Sequence, residues 1–205
     1  MIKLYGVANS RVFRCIWACE ELSVPYEVVP IDFRGESRRP EFLRINPNGH
    51  VPAMLDGELI LWESMAINLY LAEKYGAGRL LPSGSADRGG VYQWTLWAAC
   101  EFEGPVDASA KLGMRMRPEW VAERLAVAES ILGQRAYLTG EEFTLADLHV
   151  AAMLMRPAVP FADVKTKHPN TARWFDACAA RPAFLRTDVM RRSAAAFDTA
   201  EQRVR

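Results

Sequence analysis

The 205-residue sequence predicts an α/β segment of about eighty residues followed by a segment that is helical throughout. Strand patterns occupy residues 2–7, 26–31, 51–55 and 58–62, with helical spacing between and after them. A stretch rich in Gly, Ser and Pro, residues 76–90 (GAGRLLPSGSADRGG), separates the two segments. Beyond it no strand pattern returns.

Half of the residues are hydrophobic and 24% are charged, the balance of a globular chain with a substantial core. The formal net charge is zero. That argues against electrostatic binding of nucleic acid, which needs clustered Lys and Arg in excess. The opening MIKLYGV reads as a strand and not as a signal peptide, and no apolar run approaches a bilayer span. Cys15, Cys19, Cys100 and Cys178 form no Cys-x-x-Cys pair and show no zinc-ligand spacing. Cys15 and Cys19 share a helical face with Leu22, so buried reduced thiols and a cytoplasmic location are expected.

The first strand ends at Ala8-Asn9-Ser10, a turn and N-cap signal. Cys15, Ile16, Cys19 and Leu22 then recur at helical spacing over residues 11–22. Val24-Pro25 breaks that pattern before the second strand. After the charged run 34–39, Pro40 opens a short helix holding Phe42 and Leu43. Asn46-Pro47-Asn48-Gly49 is a turn. Asp56-Gly57 between two apolar runs predicts a type I′ hairpin, because both residues tolerate positive φ. Ser64 caps a helix reaching Tyr75, which Gly76 closes in a left-handed conformation. The order βαβαββα is thioredoxin-like, a right-handed βαβ unit followed by ββα. The expected division is residues 1–78 for this domain, 79–90 for a linker and 91–205 for an all-α domain.

In the helical part, residues 91–103 carry Tyr92, Trp94 and Trp97, and residues 118–135 are amphipathic. Residues 145–155 are apolar nearly all round, hence buried. Pro169 and Pro182 punctuate two later helices, and the polar tail after Ala196 is expected to fray. One helix start is doubly specified. Thr144 at the N-cap and Asp147 three residues on form a capping box, with Phe143 and Leu148 at the staple positions. Asp147 therefore reads as structural and not as an acid–base partner of His149.

The turn where a thioredoxin-type domain carries its redox cysteines reads Ser10-Arg11-Val12-Phe13. Without a thiol it cannot exchange disulfides itself. It offers a hydroxyl at a helix N-terminus, where the dipole favours negative charge. A bound thiol would be acidified there, from ~8.5 toward neutrality. Ser10 is thus either a plain helix cap or a donor to a ligand thiolate. Val51-Pro52 enters a strand straight from a turn, a candidate cis peptide whose Val51 backbone would be open to an extended ligand. Glu63-Ser64 at a helix start can hold an ammonium and a carboxylate, the two charges of a γ-glutamyl end. An edge-strand proline and a favourable helix start are the plainer alternatives.

The pattern Asn46-Pro47-x-Gly49-x-Val51-Pro52, then ten residues, then Glu63-Ser64 and a helix with Ile67 and Tyr70-Leu71, resembles the N-terminal domain of cytosolic glutathione transferases. Lys3-Leu4-Tyr5-Gly6 followed by Ser10, with Arg14 four residues later, is similar to the serine-type classes (phi- and theta-like). Thr144-Leu145-Ala146-Asp147 and residues 169–182 with Trp174 are similar to the family's helical domain. The resemblance covers nearly the whole chain. It implies glutathione as co-substrate, its thiol activated by Ser10 and its cysteinyl backbone paired with Val51 before Pro52. Glu63 and Ser64 would hold the γ-glutamyl end. His50 would be a further polar contact and Arg38 would meet the glycyl carboxylate, with Arg34 and Arg39 also able to serve. The acceptor pocket is expected between the Ser10 turn and the first long helix of the second domain. Phe13, Trp97 and Glu101 would line it, with Trp94 and Phe102 as alternates.

Tyrosine-type classes place a catalytic Tyr where this chain has Gly6, and Tyr5 should point the other way by strand alternation. Cysteine-type bacterial enzymes have a Cys near Arg11, and the Ser-Ser-Cys-Ser signature of zeta-type isomerases is missing. The resemblance implies a detoxifying glutathione S-transferase, a cytoplasmic homodimer that attacks hydrophobic electrophiles or reduces peroxides. A non-catalytic carrier and a glutathione-dependent isomerase or dehalogenase are the rivals. No metal, nucleic-acid or membrane partner is expected.

Overall fold

In a computed structural model of the chain, the backbone is described for residues 1–204 and side chains for residues 1–195. Two compact units result, Met1–Ala77 with Arg181–Arg205, and Gly78–Ala180. In the first, β1 (Ile2–Tyr5), β2 (Tyr26–Val29), β3 (Ala53–Asp56) and β4 (Leu59–Trp62) form one sheet in the order β2-β1-β3-β4. β1 runs parallel to β2 and antiparallel to β3, and β4 is antiparallel to β3. Ile2 and Leu4 are buried on the face covered by α1 (Val12–Leu22) and α3 (Ser64–Tyr75). Tyr5, on the other face, meets Phe42 of α2 (Pro40–Leu43) at a ring distance of 6.3 Å.

Two turns differ from expectation. Asp56 pairs with Leu59, so the hairpin loop is Gly57-Glu58, and Gly57 with φ 62° has the pattern of a type II′ turn, not I′. Asp56 is held in the strand by α3: its carboxylate accepts from Lys74 and Tyr75 at 2.7 Å each and from Tyr70 at 2.8 Å. Those bonds, from Lys74 first, hold its carboxyl down to about 2. Gly76 stays right-handed with φ −79°, and the left-handed residues come one step later, Ala77 (48°) and Gly78 (89°). The N–H of Gly76 is already used within the helix, by the Ala72 carbonyl at 2.9 Å.

The last helix, Pro182–Val204, belongs to the first unit and packs on α1, although the sequence groups residues 91–205 together. Arg181 forks onto Glu21 with two bonds of 2.7 Å, and Phe184 stands edge-on to Trp17 at 4.9 Å. Such partners, far apart in the chain, leave no periodic mark in it. The tail after Ala196, expected to fray, continues the last helix to Val204.

The second unit holds α4 (Ser85–Trp97), a π-helical stretch (Ala98–Glu103), α5 (Gly104–Lys111), α6 (Pro118–Leu132), α7 (Leu145–Leu154), α8 (Phe161–Val164) and α9 (Pro169–Ala179). The helix Pro182–Val204 is accordingly α10. α4 starts inside the expected linker and takes in Gly89 and Gly90. Each helical Gly costs roughly 1 kcal/mol, which the burial of Val91 and Trp94 outweighs. All ten residues of α7 are buried, and its capping box is formed. The first N–H of α7, on Leu145, donates to the Leu80 carbonyl at 2.8 Å. Asp147 accepts the Thr144 N–H (2.9 Å), the Leu138 N–H (2.9 Å) and the Trp174 indole N–H (2.8 Å). Among the described residues no helix is long and apolar enough to cross a membrane.

Asp147→Ala would orphan those three donors in the interior. The expected cost is roughly 3–5 kcal/mol by urea unfolding, with partial recovery in Asp147→Asn. A loss below about 1 kcal/mol would contradict the role given to this carboxylate.

Candidate functional site

Tyr5 pairs with Ala53, and Ala53 with Trp62. The end of β1, the start of β3 and the end of β4 therefore lie side by side at one end of the sheet. The Ser10 turn, Val51-Pro52 and Glu63-Ser64 follow or precede those strands at that end. Gly6 draws the first two together. Its φ is 135°, and a Cβ there would overlap Val12 Cγ2 and lie 3.0 Å from Val51 Cβ. A tyrosine has no room at this position.

Ser10 is half-buried, one residue before the N-cap Arg11. Its hydroxyl donates to the Val7 carbonyl at 2.7 Å and accepts from the Val12 N–H at 3.3 Å. Its carbonyl accepts from the Phe13 N–H at 3.1 Å. The Val51-Pro52 peptide is cis. Among the described residues, the Val51 N–H and C=O have no hydrogen-bond partner. Buried Asn46 locks the preceding turn, donating to the His50 carbonyl at 2.7 Å and accepting from the Asn48 N–H at 3.0 Å. The exposed His50 follows directly. Arg38 lies across the same turn, donating to the Asn48 carbonyl at 2.9 Å over Gly49, where a Cβ would come within 2.8 Å of its guanidinium. Arg39 pairs with Glu36 at 3.8 Å, and Arg34 lies 5.1 Å over the Phe33 ring.

Glu63, exposed at the N-cap of α3, takes φ 70° and ψ 113°, a conformation costing about 1–3 kcal/mol. Ser64 is the first residue of α3 and not its cap. Its hydroxyl accepts from Arg14 Nη1 at 3.1 Å. Arg14 is only 2% exposed, and Asn68 donates to its carbonyl at 3.2 Å. A buried cation thus backs Ser64 one helical turn from Ser10. Gly6, Arg14 and Asn46 stand in the sequence motifs that carry the resemblance but have no site role there, and Asn68 stands outside those motifs. The further signal at Arg14 is its place as a single charge in the run VFRCIWAC.

Residues 1–73 match the family model for the glutathione S-transferase N-terminal domain, and residues 116–182 match that for the C-terminal domain. Glutathione S-transferase 3 of Zea mays is 34% identical over 91% of this chain and 92% of its own. The chain belongs to the glutathione S-transferase family. Glutathione transferase F2 of Populus trichocarpa superposes with a TM-score of 0.82 at 28% identity, covering 94% of this chain and 100% of that one. Glutathione transferase URE2P6 of Phanerochaete chrysosporium, solved in complex with oxidized glutathione, has a TM-score of 0.84 at 25% identity, covering 94% and 97%.

Of the residues expected to line this transferase's acceptor pocket, Phe13 is 5% exposed and packed among rings of its own unit, Trp17 and Phe184. That burial gives it the place of a core residue and not of an open wall. Trp94 and Phe102 are likewise buried, within an aromatic chain of Trp94, Trp97, Phe102 and Trp120. Trp97 and Glu101 stay half-exposed, and Glu101 faces Arg124 at 3.5 Å.

Cys15 approaches the Ser64 carbonyl at 3.7 Å, but burial pushes its thiol well above the usual range. Burial also pushes the Cys19 thiol up to about 12. Neither is a nucleophile at neutral pH. A thiol reagent is expected to modify Cys100 alone in the native protein, and all four cysteines after denaturation. Rapid modification of a second native thiol, read by mass spectrometry, would contradict this.

Proposed function

We propose that this transferase lays glutathione across this end of the sheet and delivers its thiolate to hydrophobic electrophiles, with Ser10 as the catalytic donor. The position of Ser10 carries the reading: its hydroxyl is bonded to the N–H of Val12 at the start of α1, and the Val12 side chain meets that of Val51 over Gly6. The thiol loses its proton to solvent. Ser10 rotates its O–H from the Val7 carbonyl to the sulfur, and the N-terminal end of α1 favours the negative charge. Val51 pairs with the cysteinyl backbone as an added strand would. The α-carboxylate of the γ-glutamyl end meets Ser64 at the start of α3, with Arg14 behind, and Glu63 takes the ammonium. Arg38 meets the glycyl carboxylate and His50 supplies a further polar contact. The sulfur then bonds to the electrophilic carbon as the leaving group departs with its electron pair. Trp97 and Glu101 are the acceptor-side residues in this reading. Their partial exposure supports it, and the burial of Phe13 supports a packing role for that residue.

The enzyme is proposed to act as a cytoplasmic homodimer. Four free cysteines support the compartment. The edge strand β4 exposes Leu59, Ile60 and Trp62, and α4 exposes Tyr92 and Leu96, apolar surface that supports pairing of copies.

Ser10→Ala is expected to lower kcat/KM for a generic aromatic electrophile about hundredfold while glutathione affinity stays within about twofold. Unchanged turnover would reject the role of Ser10. Sedimentation should show a dimer, and Ile60→Glu with Trp62→Glu should shift it to monomer. A monomeric wild type would reject the pairing.

A further inference from the structure

We propose that α10 is a positioning element for the catalytic turn, with Phe184, packed on Phe13, holding the Ser10 hydroxyl where it meets the ligand sulfur. The inference rests on the reading of Ser10 as the thiolate's donor.

The start of a helix is ordinarily fixed by a capping side chain that occupies its first N–H groups. Here Arg11 at the N-cap makes no side-chain capping bond. Ser10 does this instead: its oxygen accepts the Val12 N–H at 3.3 Å, and that bond stays when its O–H swings from the Val7 carbonyl to a sulfur. Where the O–H meets the sulfur is therefore set by whatever holds the turn in place. The turn is bonded to α1 by the Val12 N–H to the Ser10 hydroxyl, by the Phe13 N–H to the Ser10 carbonyl at 3.1 Å and by the Arg14 N–H to the Arg11 carbonyl at 3.3 Å. Val12 is set by the close contact over Gly6. Phe13 is set by α10.

The Phe13 and Phe184 rings stand edge to face, 6.0 Å apart at 85°, and Trp17 completes the cluster at 6.0 Å from Phe13 and 4.9 Å from Phe184. The Arg191 guanidinium lies 5.8 Å over the Phe13 ring, itself gripped by Asp188 at 2.6 and 2.8 Å. α10 is in turn tied to the far end of α1, where Arg186 donates to Glu20 at 2.6 Å and Arg181 forks onto Glu21. Phe13 thus cannot shift without moving a helix that is anchored twice. Such aromatic pairs add about 0.5–1.5 kcal/mol beyond their burial, enough to bias a single turn.

A purely structural Phe184 would change stability alone. A positioning Phe184 also changes how acidic the bound thiol is. The test compares Phe184→Ala, Phe184→Leu, Ser10→Ala and, as a control on the exposed face of α10, Val189→Ala. Each is measured for glutathione affinity, for kcat/KM with a generic aromatic electrophile from pH 5.5 to 9 (about the range over which a bound thiol titrates), and for thermal unfolding. Phe184→Ala is expected to bind glutathione within about twofold of wild type and to lose about tenfold in kcat/KM at neutral pH. Its pH midpoint should rise by about one pH unit, with a smaller rise in Phe184→Leu and none in Val189→Ala. A folded Phe184→Ala with wild-type midpoint and turnover would overturn the proposal, and Phe184→Leu decides in the same way should the alanine variant not fold. If Ser10→Ala raises the midpoint and the Phe184 variants do not, α10 fails as a positioning element while Ser10 stands. If Ser10→Ala changes neither midpoint nor turnover, the reading of Ser10 falls and the proposal with it.

Discussion

The close approach of Val12 and Val51 over Gly6 is the contact on which the site depends, because it sets the spacing between the Ser10 turn and the Val51 backbone. Any Cβ at residue 6 would overlap Val12 and press on Val51, and the φ of 135° belongs to a region that residues with a side chain avoid. A strand end, a helix start and a loop thus converge where the chain is thinnest. The pairing of Tyr5 with Ala53 and of Ala53 with Trp62 then carries the third element, Glu63-Ser64, to the same end of the sheet.

Buried charge is used in two ways. In the second unit the Asp147 carboxylate is saturated by backbone and indole donors, so it acts as a hub joining the start of α7 to Leu138 and to Trp174 of α9. In the first unit the Arg14 guanidinium is buried beneath Ser64 at the start of α3, where an incoming carboxylate would find both a hydroxyl and a positive charge. Removing either group would leave its partners desolvated and unpaired, the costly side of hydrogen bonding in an interior.

Two residues with positive φ lie against helix N-termini, one in each unit. Glu63 precedes α3 with φ 70°, and Leu80 takes φ 63° while its carbonyl accepts the first N–H of α7. The two differ in what surrounds them. Leu80 is buried and bonded, so its conformation is repaid by the fold. Glu63 is exposed at the end of the sheet, so its strained backbone is not offset by burial.

The sequence by itself determined the order βαβαββα, the helical character of the second part, the capping box at Thr144 and Asp147, and the three loops of the candidate site. These are legible because turn residues, caps and apolar period act over a few neighbours, and because the joint pattern of Asn46 to Ser64 resembles one family. Only the tertiary structure decided that α10 joins the first unit, that Arg14 lies beneath Ser64, that Arg38 is the arginine lying across the Gly49 turn, and that Phe13 is buried in an aromatic cluster. Each of those depends on partners far away in the chain, such as Phe184 for Phe13 and Ser64 for Arg14. No local pattern encodes which distant residue a side chain will meet. The same limit moved the helix start from Val91 back to Ser85: local propensity marks Gly89 and Gly90 as linker, while the burial of Val91 and Trp94 makes them helix.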